Sequence, residues 1–252
     1  MARYVFPAFD LDEVGDPGFS EKDMRSKILV SYPRKIHLGL YPRIFMLDTG
    51  AFARPDLYRH DTPQRLRNIE NLAMYYGQFP ENAFRLAPDV PTDNKQTLDN
   101  FFYYREKYDA TAAPIFTYSE VLTDLFQFIR RVESAEWVAV KNPRHLFKRD
   151  EDLRDFYRTV CSTLKDRYAC KIHILGVGGL WELPFLFENE LMDTFDSVYY
   201  YTSAYESRAY LGRGAEKDYG EVTRWCHCPG CLSGLDDFRG NLGHNVYLLS
   251  RS

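Results

Sequence analysis

About eight short apolar runs, each followed by a stretch of helical periodicity, constrain this 252-residue chain more than any other feature. The runs fall at 4–8, 27–32, 44–49, 84–90, 113–119, 137–142, 171–178 and 197–204, rich in β-branched and aromatic residues and mostly bounded by Pro, Gly or charge. Helical patterns fill the longer gaps. Asp61-Thr62-Pro63 offers a cap and a first-turn proline, ahead of Leu66, Ile69, Leu72 and Tyr76 at three- and four-residue spacing. Others cover 92–108, 120–134, 150–168 and 180–191, the last with Pro184 tolerable only in its first turn. Strands alternating with helices imply a parallel sheet. Eight strands in this length predict an α/β fold of the (β/α)8 TIM-type barrel class, with an open doubly wound sheet as the competing arrangement. In a barrel, chemistry sits where the strands end at the C-terminal face.

The composition, 45% hydrophobic and 27% charged, suits one globular domain with a sizeable core. Nineteen Tyr and 18 Phe serve mainly as core, although Tyr also stacks on bases. A net charge of −4 lacks the overall basic footprint of a nucleic-acid binder, but it leaves room for a local basic patch. No apolar run is long enough to span a bilayer, and the N-terminal segment lacks the apolar core of a signal peptide. Five cysteines, three of them close together, do not resemble a secreted disulfide framework. The expectation is a cytoplasmic protein without a membrane partner.

The densest chemical signal is Cys226-His227-Cys228-Pro229-Gly230-Cys231, followed by His244. Three thiolates and an imidazole meet the tetrahedral, soft-ligand preference of a structural Zn²⁺, and Pro-Gly supplies the turn between the second and third sulfurs. One zinc per chain is expected on Cys226, Cys228, Cys231 and His244. His227 is the rival fourth ligand, although its place between two cysteines would strain the ring. Cys161 and Cys170 read as buried thiols.

Three carboxylates stand beside apolar runs: Asp48 after Ile44-Phe45-Met46-Leu47, Asp89 after Phe84-Arg85-Leu86-Ala87-Pro88, and Asp196 before a tyrosine-rich run expected as a strand. Any one of them could cap a turn. Three converging on one mouth would instead suit cleavage at an anomeric carbon, where one carboxylate attacks and another handles the leaving-group proton.

Taken in order, these segments resemble the tRNA-guanine transglycosylases. Cys226, Cys228, Cys231 and the pair His244-Asn245 look like that family's zinc motif. Asp48-Thr49-Gly50-Ala51-Phe52 resembles its Asp-Ser-Gly-Gly-Phe/Tyr turn, Pro88-Asp89-Val90 stands at its second Asp, and Gly176-Val177-Gly178 resembles its Gly-Val-Gly. Phe195-Asp196-Ser197-Val198 resembles its nucleophile segment, Phe-Asp-Cys-Val. The chain departs where the family carries Gln-Gly-Gly and Gly-Gly-Leu, reading Thr117-Tyr118-Ser119 and Lys141-Asn142-Pro143. It departs again after the nucleophile, where Tyr200-Tyr201-Thr202-Ser203-Ala204-Tyr205 runs on to Arg208.

The resemblance implies a catalytic barrel over residues 1–215 and a zinc-binding subdomain over 216–252. Asp196 would be the nucleophile and Asp48 the general acid/base. Asp89, Thr117, Asn142 and Gly178 would form a remodelled base pocket, with Tyr205 and Arg208 contacting nucleic acid. The implied reaction exchanges guanine for a 7-deazaguanine through a covalent glycosyl-enzyme. The partners would be a nucleic acid and a free purine or 7-deazapurine base. DNA is favoured as the polymer because the pocket is remodelled and the chain compact, with tRNA as the alternative. A non-catalytic zinc-binding subunit stands as the reading from another class, against which both Asp48 and Asp196 count. A homodimer or a partner subunit is left open.

Overall fold

Side chains along a strand alternate between two faces, so each apolar run can bury one face on helices and turn the other inward. The computed structural model describes residues 3–7, 27–32, 44–91, 93–118, 122–132, 135–177, 182–197, 199–212, 215–224, 226–232 and 237–249. Eight strands form one sheet: β1 (Arg3–Pro7), β2 (Lys27–Ser31), β3 (Ile44–Asp48), β4 (Phe84–Arg85), β5 (Ile115–Phe116), β6 (Trp137–Lys141), β7 (Lys171–Leu175) and β8 (Thr194–Asp196). Their order is β4-β3-β2-β1-β8-β7-β6-β5, and every pairing is parallel. The two ends of this ladder meet. An isolated parallel bridge joins Leu86 to Ala113, where Ala87 N–H donates to Ala113 O (2.9 Å) and Ala113 N–H to Arg85 O (2.8 Å).

The helices lie between the strands in sequence: α1 (Arg65–Tyr76), α2 (Asn94–Lys107), α3 (Leu122–Arg131), α4 (Asp150–Tyr168) and α5 (Leu183–Glu188), the last with Pro184 in its first turn. Asp93 caps α2 by accepting from Gln96 N–H, which satisfies a donor that the first turn leaves unpaired. Helices and sheet share a large core containing Ile69, Leu72, Phe101, Phe128, Val138, Val140, Leu164, Ile172 and Ile174. The opposite sheet face buries a smaller cluster, including Leu29, Met46, Ile115 and Ala139. By the two-residue period, Asp48, Lys141, His173 and Asp196 belong to that second face.

Two expected strands shrink to two residues each. Pro88 and Pro114, near these strands, have no N–H to give a ladder. The expected strand at 197–204 is a correction: β8 ends at Asp196, and Tyr199–Tyr205 forms helix α6. Aromatic content suggested a strand there, but tertiary packing overrides that propensity. Asn241 Nδ2 donates to Ala204 O (3.5 Å), and the Tyr205 ring meets the edge of Phe238.

The C-terminal part is a compact unit of β9 (Arg208–Gly212), antiparallel to β10 (Ala215–Asp218), then α7 (Tyr219–Val222), α8 (Pro229–Leu232) and α9 (Asp237–Leu249). Ala209, Tyr219 and Val222 form its small core, against which Cys226 and Cys231 pack. The β9–β10 pair straddles the expected boundary at 215/216. Among the described residues, no helix is long and apolar enough to cross a membrane.

Candidate active site and metal centre

Parallel strands deliver their last residues to one end of a sheet, and here several of those residues are polar. Asp48 ends β3, Lys141 ends β6, Asp196 ends β8, and Asp89 follows β4 by four residues. Asp48, Asp89 and Asp196 line a single cavity of about 570 Å³, together with Thr117, Lys141 and Asn142.

Asp48 is half-buried, and its Oδ2 accepts from the Ser31 hydroxyl (2.8 Å) and Gly50 N–H (3.3 Å). Gly50 makes this turn feasible. Its φ is +72°, and a Cβ there would lie 2.1 Å from the Tyr32 carbonyl oxygen. Burial, then the charges of Asp89 and Asp196, push the Asp48 carboxyl above its usual range, against the opposing Ser31 hydrogen bond and Lys141. Asp48 is thereby suited to hold a proton.

Asp196 has a different environment. Its Oδ1 accepts from Gly176 N–H (3.0 Å) and lies 3.0 Å from His173 Nε2. A carboxylate only accepts, so Nε2 carries the proton that faces Asp196, and Nδ1 lies 2.8 Å from the Thr194 hydroxyl. His173 is fully buried and was not singled out in the sequence. The signal was there: a polar residue between Ile172 and Ile174 in an otherwise apolar strand. Gly176, at φ +67°, makes the turn that aims its N–H at Asp196.

Asp89 accepts from the Thr49 hydroxyl at Oδ1 (2.6 Å) and pairs with Lys141 Nζ at Oδ2 (3.3 Å). Thr117 and Asn142 line the cavity, but their polar groups are engaged by the protein itself. The Thr117 hydroxyl donates to Asn94 Oδ1 (3.1 Å), Asn142 Nδ2 donates to Gly176 O (2.9 Å), and Asn142 Oδ1 accepts from Arg144 N–H (2.9 Å). Phe52 stands at the cavity, 86% exposed. Tyr205 and Arg208 are exposed, Tyr205 at the end of α6 and Arg208 at the start of β9, and neither is among the residues lining the cavity. Gly178 lies outside the described residues.

The second constellation is the cysteine cluster. One ligand atom each from Cys226, Cys228, Cys231 and His244 lies within 4.8 Å of the others, a group that could hold a metal ion. His244 Nδ1 sits 3.4, 3.3 and 3.3 Å from the three sulfurs in sequence order. The other ring nitrogen, Nε2, donates to the Tyr210 carbonyl (2.8 Å), which fixes the tautomer and presents the Nδ1 lone pair to the sulfurs. Burial holds the imidazole below its ordinary pKa, in the neutral form a ligand needs. His227 is exposed and outside the cluster. Asn245 completes the support: its Oδ1 accepts from Tyr210 N–H (2.7 Å) and its Nδ2 donates to Arg208 O (3.2 Å). No family model matches this chain, and no match is found among curated proteins.

Proposed function

We propose that the chain is a base-exchanging guanine transglycosylase of the kind that the tRNA-guanine transglycosylases represent. In this reading the ladder, its ends joined at Leu86 and Ala113, is a (β/α)8 barrel. The observation that carries the proposal is the pair Asp48 and Asp196: two carboxylates on one cavity, one raised in pKa by burial and the other held by a backbone N–H and the His173 ring. Environments that set two carboxyl groups apart divide acid from nucleophile.

Asp196 attacks C1′ of a guanosine, forming a C1′–O bond as the bond from C1′ to the base breaks. Asp48 passes its proton to a ring nitrogen of the departing guanine. An incoming 7-deazaguanine then attacks C1′, the glycosyl–Asp196 bond breaks, and Asp48 takes up the proton released by the new base. His173 and Gly176 keep Oδ1 engaged throughout. The nucleotide must leave its stack to reach this cavity. DNA is the polymer in this reading, since the segments facing the base differ from those of the tRNA enzymes. The metal is Zn²⁺ in a structural role, because four protein ligands leave no open position.

The test combines incorporation of labelled guanine into DNA or tRNA with denaturing gels that look for a covalent adduct. Wild type should form an adduct with a guanine-containing oligonucleotide, and Asp196→Asn should form none. Asp48→Asn should lower exchange on the order of 10²–10⁴-fold. An adduct that persists in Asp196→Asn assigns the nucleophile elsewhere. Adduct with tRNA but never with DNA leaves the chemistry standing and replaces the polymer.

A further inference from the structure

Lys141 is the only lysine among the described residues lining the cavity. The last position of β6 carries it, and its Nζ lies 3.3 Å from Asp89 Oδ2 and 6.0 Å from the centroid of the Phe52 ring. Its side chain keeps about a fifth of its surface exposed, whereas that of Asp89 is almost wholly buried. The ammonium carries three donors and no acceptor, and the carboxylate accepts without donating. One wall of the cavity therefore presents a pure donor beside a pure acceptor, within the span of a single purine edge.

A 6-oxo-2-aminopurine matches that pair. Its 6-oxygen accepts, and N1–H beside it donates, followed by the 2-amino group. Adenine presents the reverse, a 6-amino donor beside an N1 acceptor, and would set donor against donor and acceptor against acceptor. We infer that Lys141 is a specificity-determining residue that donates to the 6-oxo group of the bound purine while Asp89 accepts from N1–H and the 2-amino group. This rests on the proposed base exchange for its site and adds the residue that discriminates guanine from adenine there. Thr117 and Asn142 also line the cavity, but each already has a bond to Asn94 or to the backbone, and neither carries a charge. Thr49 supports the same reading from behind: its hydroxyl holds Asp89 Oδ1 and its carbonyl accepts from Tyr58 Oη (2.8 Å), so the acceptor is fixed in place.

The experiment is equilibrium binding of guanine and of adenine to the full metal-loaded chain, measured directly by titration calorimetry. Wild type should prefer guanine over adenine. Lys141→Met should erode that preference roughly 10- to 100-fold, the scale of one hydrogen bond to a charged group. Lys141→Gln, whose amide still donates, should retain part of it. Should Lys141→Met fail to fold, as judged by metal content and circular dichroism, Lys141→Gln and Lys141→Arg carry the comparison, with intermediate and near-complete retention expected. An unchanged guanine-to-adenine ratio in the variants overturns the inference. So does an equal loss for both bases, which would make Lys141 only a counter-ion for Asp89, and so does a wild type that binds no purine. Lys141-dependent selectivity without any covalent adduct would keep the inference and reject the transglycosylase chemistry.

Discussion

Glu182 shows how a single buried side chain can set the pH response of the protein. It is 3% exposed, the Tyr157 hydroxyl donates to Oε2 (3.3 Å), and Oε1 has no partner among the described residues. Burial pushes its carboxyl from 4.5 up to about 7, with Arg144 and the Tyr157 hydrogen bond pulling the other way. The folded state thus holds a proton that the unfolded chain releases earlier. Stability is full below about 4.5 and falls as pH rises from there to about 7. Glu182→Gln should remove that slope, gaining on the order of 3 kcal/mol relative to wild type at pH 8. Denaturant midpoints at pH 5 and pH 8 check it, and parallel pH curves for the two proteins would refute it. At this scale the carboxylates were legible in the sequence, since Asp48, Asp89 and Asp196 adjoin apolar runs. Lys141 and His173 were not. A lysine at a strand end reads as solvated, and nothing local says which face a strand histidine takes until the register is known.

At the scale of elements, the metal unit is held together by neighbours as well as ligands. His244 and Asn245 grip opposite sides of Tyr210, one at its carbonyl and one at its N–H, so α9 and β9 are tied through one residue. Removing the ion by chelation should loosen this unit, because ion binding and folding share one free energy. Asn245→Ala leaves all four ligands in place but should weaken metal affinity about 10- to 100-fold, the usual scale for groups that orient a ligand. Competition with a chromogenic chelator measures this, and unaltered affinity would show that the Tyr210 clamp is dispensable. The four-residue cluster was readable from cysteine spacing and the downstream histidine. The clamp was not, since it depends on a hairpin 35 residues before Asn245. Helices α1 and α4 were visible in their periodicity, whereas α6 was hidden behind the strand-like composition of Tyr199, Tyr200 and Tyr201.

Across the whole molecule the sheet is uneven. β6 and β7 pair along five residues each, but β4 and β5 have two residues each and meet through one bridge. Local opening is easiest where few buried hydrogen bonds must break. The Ala87 and Ala113 amides should therefore exchange with solvent deuterium sooner than those of Val140 and Ile174, as native-state exchange followed by NMR would reveal. Equal protection across the four amides would show the seam to be as firm as the rest. Tyr76 braces this region, its hydroxyl donating to Leu47 O (3.0 Å) and Leu86 O (3.1 Å).

That seam works as a clasp. Asp89 hangs from one side of it and Lys141 from the other, one strand beyond β5, so their 3.3 Å contact is a strut across the joint. A purine that engages both would be pinning the clasp shut. Tight binding of the right base would then register as stiffening of the sheet far from the ring itself, and a base that engages only one partner would leave the joint free to breathe.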